Sequence, residues 1–176
     1  MADRKPRGRR PWLDEIQLGG DGQYAYRGSH MKFSGGDEAF RRFRLTLGIC
    51  AALLAVCAVG AGCLNVGTLD NTVWVLVPYM IEVVCTAAFV WSAVRLLLQS
   101  SVVRSYIFKQ TVQRLPVLTI VTAAAAALTL ICAAVCSAIE QSWTAPVIVY
   151  LLLQAADCAV SLLGLKVLKQ TAWERV

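Results

Sequence analysis

LTLGICAALLAVCAVGAGCLNV, residues 45 to 66, runs for 22 residues without a charged side chain. A helix rises about 1.5 Å per residue, so this stretch alone crosses the roughly 30 Å hydrocarbon core of a bilayer. One such run can still be a buried helix of a soluble domain. Three more follow, at 73–97, 116–139 and 146–168, and little polar chain separates them. Too little is left to form a soluble shell. The expected fold class is therefore an all-α integral membrane protein, a four-transmembrane-helix bundle occupying 45–176. Composition agrees: 57% of the 176 residues are hydrophobic and 16% charged, against about 45–50% and about 25% in soluble domains.

Residues 1–44 are hydrophilic and carry ten of the seventeen Lys and Arg. No apolar region follows directly behind the first basic cluster, as a cleavable signal peptide would need, so the first span is expected to be retained. Of the other basic residues, Arg95, Arg104, Lys109 and Arg114 lie at or within the second connection, and Lys166, Lys169 and Arg175 lie at the C-terminal end. All seventeen thus fall on one side of a four-span topology, which predicts cytoplasmic N- and C-termini, with the cytoplasmic or plasma membrane as the expected location. The net charge of +6 is then a topology signal. No specific nucleic-acid partner is expected, because the ten basic residues of the tail are interleaved with six acidic ones.

Within the tail, MADRKPRGRRPW reads as a disordered basic arm. Arg4, Lys5, Arg7, Arg9 and Arg10, together with Arg41, Arg42 and Arg44 nearer the first span, are expected to contact lipid headgroups. Alternation through Tyr24 and Tyr26, turn residues at 27–29, and a run from Met31 to Phe33 predict a small β-hairpin over 23–33. Such a hairpin is marginal in water and has to pack against something. Ser34 or Asp37 is a candidate cap for a juxtamembrane helix over 37–44, with Phe40 and Phe43 at the headgroup level.

The first span pairs small residues four apart, Gly48 with Ala52 and Ala58 with Gly62, a spacing that lets helices approach closely. Packing within the chain is favoured over dimerisation, and the alanine-rich third span is expected to face the first. Asn71 or Thr72, Pro116 and Pro146 mark helix starts, and Pro78 is a candidate kink. Trp74 and Trp143 fit the outer aromatic belt. The second connection reads as a short interfacial helix or as extensions of its neighbours. The two halves show no repeat of the kind found in inverted-repeat transporters.

Polar residues inside the spans are the strongest functional signal. Tyr150, Gln154, Asp157 and Ser161 follow i, i+4, i+7, i+11, and Tyr79, Glu82 and Thr86 follow i, i+3, i+7, so each set occupies one helix face. Glu82 and Asp157 lie at depths differing by roughly 3 Å, near mid-membrane. No Lys or Arg lies deep in a span to pair with them. A charged Asp at a helix centre costs about 2.5–3.5 kcal/mol on insertion scales. Protonating one or both, with hydrogen bonds from neighbouring hydroxyls and amides, avoids most of that cost.

Seven cysteines all lie in the spans and none forms C-x-x-C, which argues against a thiol oxidoreductase. Cys63 and Cys136 both fall near the outer ends, where one disulfide is feasible, although small apolar packing residues are the commoner role. The single histidine, His30, lies in the tail, so neither a metal nor another cofactor is expected. No Ser/His/Asp arrangement is available, and no enzyme activity is expected. A small multidrug exporter is similar in span number but carries its acidic residue in the first span, where this chain has none. Intramembrane aspartyl proteases use Y-D and G-x-G-D, against Y-M-I-E and Q-A-A-D here.

Two roles then compete. The first is a non-enzymatic accessory or scaffold subunit in which the polar face between the second and fourth spans clamps the bundle, or receives a partner membrane protein or a second copy. The alternative is a proton- or cation-coupled transporter or channel-like protein that uses Glu82 and Asp157. Beyond the lipid bilayer, the sequence identifies no partner.

Overall fold

The four apolar runs form four long helices in the computed structural model, which describes residues 16–18, 24–26, 30–67, 69, 72–99 and 102–175. In chain order the elements are β1 (Ile16–Leu18), β2 (Tyr24–Tyr26), β3 (His30–Phe33), α1 (Gly36–Gly62) and α2 (Val73–Leu97). They continue with β4 (Val102–Arg104), α3 (Ser105–Gln110), α4 (Leu115–Glu140), α5 (Ala145–Lys169) and β5 (Trp173–Arg175). The expected juxtamembrane helix and the first span are one continuous helix, α1. Three of the four helix starts follow the sequence signals: Thr72 is the N-cap of α2 with extended backbone, and Pro116 and Pro146 sit in the first turns of α4 and α5.

Around the bundle the helices run α1, α2, α4, α5 and back to α1. The alanine-rich α4 therefore packs against α2 and α5 and lies diagonal to α1, not against it as expected. The reason lies in the connections. Only a short loop joins α4 to α5, which makes antiparallel neighbours of them, and the α1 groove expected for α4 is filled from α2. Tyr79 of α2 enters there and donates its hydroxyl to the Ala58 carbonyl at 2.7 Å. A Cβ on Gly62 would collide with that hydroxyl oxygen. The small-residue spacing of α1 thus serves packing within the chain.

A hairpin is present at the N-terminus, but its pairing differs from the one expected. β2 pairs antiparallel with β1, which precedes it, Ile16 lying opposite Tyr26. β3 is instead the central strand of a three-stranded sheet with the order β4-β3-β5, pairing Met31 with Val103 on one side and with Arg175 on the other. The run from Met31 to Phe33 is expected to pair within the hairpin, but the partners of β3 lie some 70 and 140 residues away, where no local pattern could reveal them. Ser34 does not cap α1. Its hydroxyl donates to the Ala172 carbonyl at 2.9 Å, fastening the start of α1 to the strand at the C-terminus.

This sheet seals one end of the bundle, called the basic end here because Arg95, Arg114, Lys166 and Lys169 close the neighbouring helix turns. Phe33 stacks on Phe43 at 5.8 Å and meets the Trp173 ring edge-on at 5.4 Å. Phe40 and Phe43, expected at the headgroup level, are buried in this aromatic cluster, because the sheet covers the face they would have turned outward. Below it Leu47, Leu54, Phe89, Leu96, Leu115 and Leu168 form one continuous apolar core. A second apolar cluster, built on Ala61, Leu69, Val75, Ala133, Val147 and Tyr150, closes the opposite end.

Candidate functional site

Between the two apolar clusters each long helix turns a polar or polarisable side chain to the bundle axis. α2 supplies Glu82 and Thr86, and α5 supplies Gln154, Asp157 and Ser161; all five are buried, with Glu82 and Asp157 at 0% exposure. α2 and α5 are diagonal, so their backbones do not pack. Only side chains as long as Glu and Gln bridge such a gap. The Glu82 carboxyl faces Asp157 and Gln154 from across the bundle, with Thr129 of α4 beside it. Cys57 of α1 completes the layer near both carboxyls. The two acidic residues that the sequence placed at one depth do meet, and they meet at the axis.

Tyr79 and Tyr150, expected on the same faces, stand one turn closer to the far end, their rings 6.3 Å apart. Tyr79 gives its proton to Ala58, not to a carboxyl. Tyr150 belongs to the far-end apolar cluster. Together the rings form the lid of the polar layer on that side.

Sequence reasoning missed Thr129 and Cys57. A signal for the first existed: Thr119, Thr122, Thr129 and Ser137 fall on one face of α4, and all four are buried. Each hydroxyl donates to the carbonyl four residues earlier, at 2.7 to 2.9 Å. This internal bonding satisfies the hydroxyl proton and leaves the oxygen as an acceptor facing inward. Cys57 carries no pattern that would separate it from the other six cysteines.

The α2 and α5 groups differ from those threonines. Both oxygens of Glu82 and of Asp157, the amide of Gln154, and the hydroxyls of Thr86 and Ser161 stand within the layer without closing a well-aligned hydrogen bond. Burying polar groups in this way costs about 1–3 kcal/mol each when nothing compensates. Two facing carboxyls without a basic partner have a direct remedy. A shared proton makes one of them a donor to the other, and Gln154 can donate to the remaining oxygen. The layer is thus chemically suited to hold a proton or a small cation. Among the described residues no group of three His, Cys, Asp or Glu side chains is placed to hold a metal ion.

The remaining candidates lie apart from this layer. Cys63 is an exposed free thiol just past α1, and Cys136 a half-buried free thiol on α4. Arg41 and Arg42 are exposed on the first turns of α1. Arg44 turns inward instead: its guanidinium donates to the Leu97 carbonyl at the end of α2 and lies over the Phe40 ring at 5.7 Å. Arg4, Lys5, Arg7, Arg9 and Arg10 lie outside the described residues.

Four membrane-length apolar helices around a buried acidic layer define the class, a small multi-pass membrane protein. No family model matches the chain, and neither a curated protein nor a solved structure matches it.

Proposed function

We propose that this chain is a non-enzymatic accessory or scaffold subunit of a cytoplasmic membrane, with both termini cytoplasmic. In this reading the carboxyl layer locks the diagonal helices α2 and α5 in register. The observation that carries it is closure. Apolar clusters seal the polar layer toward both ends of the bundle, and its side chains face one another across the axis rather than a partner helix. A clamp of this kind specifies one packing arrangement, since sliding α2 or α5 by a turn would strand a carboxyl in hydrocarbon. Partners then meet the basic end, where the short strands β4 and β5 are the sheet edges.

A second reading, proton or cation coupling, is favoured by one specific observation: polar atoms on α2 and α5 that close no well-aligned hydrogen bond. Proton flux into proteoliposomes under an imposed pH gradient and membrane potential separates the two. The clamp reading expects wild type, Glu82→Gln and Asp157→Asn all to match empty liposomes, while a stoichiometric membrane partner co-purifies from native membranes. Flux in wild type that both folded variants abolish would replace that reading with the second.

A further inference from the structure

The geometry points to a binding site for an anionic phospholipid headgroup between α2 and α4 at the basic end, with Arg95 and Arg114 as its phosphate ligands. A cavity of about 620 Å³ opens there, lined by Trp91, Arg95, Gln110, Gln113, Arg114 and Val117 among others. Among the described residues no acidic side chain lines it. Arg95 lies in the last turn of α2 and Arg114 is the N-cap of α4. Two arginines therefore line one cavity where the helices leave the hydrocarbon.

Helix electrostatics make an anion the fitting occupant. The start of a helix is its positive pole, which favours negative charge. The first turn of α4 carries no acidic residue and is preceded by Arg114, so like charges gather there. The Arg95 guanidinium reaches toward Gln110 Oε1 at the end of α3, 3.5 Å away, which places both side chains at the cavity rim. A bound phosphate would offset the helix pole and both arginines at once, with guanidinium geometry suited to its oxygens.

The cavity is also graded along the membrane normal, which selects a lipid over a soluble anion. Trp91 lies one turn deeper on α2 than Arg95, about 6 Å toward the membrane centre, and is 69% exposed. With Ala88 and Val117 it forms an apolar floor beneath the polar rim. A headgroup on the arginines would lay its glycerol and upper acyl chain along that floor. The size falls within the range of small-molecule sites, about 300–1,000 Å³.

Native mass spectrometry of the purified full chain, with phosphatidylglycerol or phosphatidylcholine added at matched concentrations, tests the site. Wild type is expected to retain phosphatidylglycerol preferentially, and Arg95→Gln/Arg114→Gln to bind it roughly 25-fold more weakly, since each basic residue at an anionic surface contributes about fivefold. Lys166→Gln/Lys169→Gln, which alters exposed basic residues at the same end of the bundle but outside this cavity, is expected to keep wild-type retention. If the double variant does not fold, the exposed Arg114→Gln alone carries the test, with about a fivefold loss. Equal retention of the two lipids, or an equal loss in the Lys166/Lys169 control, would overturn the assignment. So would displacement of the lipid by inorganic phosphate, which would make this a site for a soluble anion.

Discussion

At the basic end, Phe33, Phe40, Phe43 and Trp173 pack ring against ring over a leucine-rich core. Deeper in the bundle, on α2 and α5, Glu82, Gln154 and Asp157 occupy the axis with oxygens and nitrogens that close no well-aligned hydrogen bond. The first region is stabilised by area and shape: many weak contacts, each replaceable, and a sheet that gathers three distant parts of the chain. The second depends on a few polar groups whose favourable state requires a proton or another cation. A protein selected for stability alone could fill that layer with leucine, because well-packed apolar residues often match or exceed a buried polar set. Retaining two carboxyls there points to register or to ion chemistry.

Substitutions separate these two kinds of layer, beginning with the largest effect. Phe89→Ala, which empties a side chain at 0% exposure in the basic-end core, should cost about 3–5 kcal/mol, read as a lowered unfolding midpoint in detergent. A cost near zero would mean that the aromatic end is not the stabilising half. Glu82→Ala removes the side chain that spans the diagonal and leaves Asp157 and Gln154 facing a void. About 1–3 kcal/mol should be lost, and a rise in stability would show that the layer opposes folding and is kept for another purpose.

Gly62→Ala should cost about 1 kcal/mol, because the new methyl displaces the Tyr79 hydroxyl from the Ala58 carbonyl. Cysteine accessibility at Cys57 reports the accompanying breach. Faster labelling from the far end would mark Tyr79 as the lid, and unchanged labelling would remove it from that role. The smallest effect is expected from Glu82→Gln and Asp157→Asn, which preserve volume and supply donors without charge. A change under about 1 kcal/mol in the same unfolding assay fits neutral carboxyls in the native layer. A large loss would show that a carboxylate is required, and with it a bound cation.

Much of this architecture is legible in the chain. α2, α4 and α5 fall within one residue of the expected spans, because apolar length needs no knowledge of neighbours. The faces carrying Glu82 and Asp157 were readable from helical periodicity, and so was their common depth. The hairpin shows where such reading stops: the run from Met31 to Phe33 reads as a strand, while its partners, Val102–Arg104 and Trp173–Arg175, come from distant parts of the chain. Phe40 and Arg44 illustrate the same limit, for an aromatic or basic residue beside a span looks lipid-facing until a sheet or a helix end is placed against it.

The sequence by itself determined four spans, their basic-sided asymmetry and two carboxyls at one level, since hydrocarbon thickness and helix rise act on each segment separately. Only the tertiary structure decided that α2 and α5 are diagonal, that Thr129 and Cys57 complete the layer, and that Arg95 and Arg114 share a cavity. Those outcomes depend on which helix faces which. Several orders of four apolar helices bury similar area, and specific contacts such as Tyr79 in the Gly62 notch select among them.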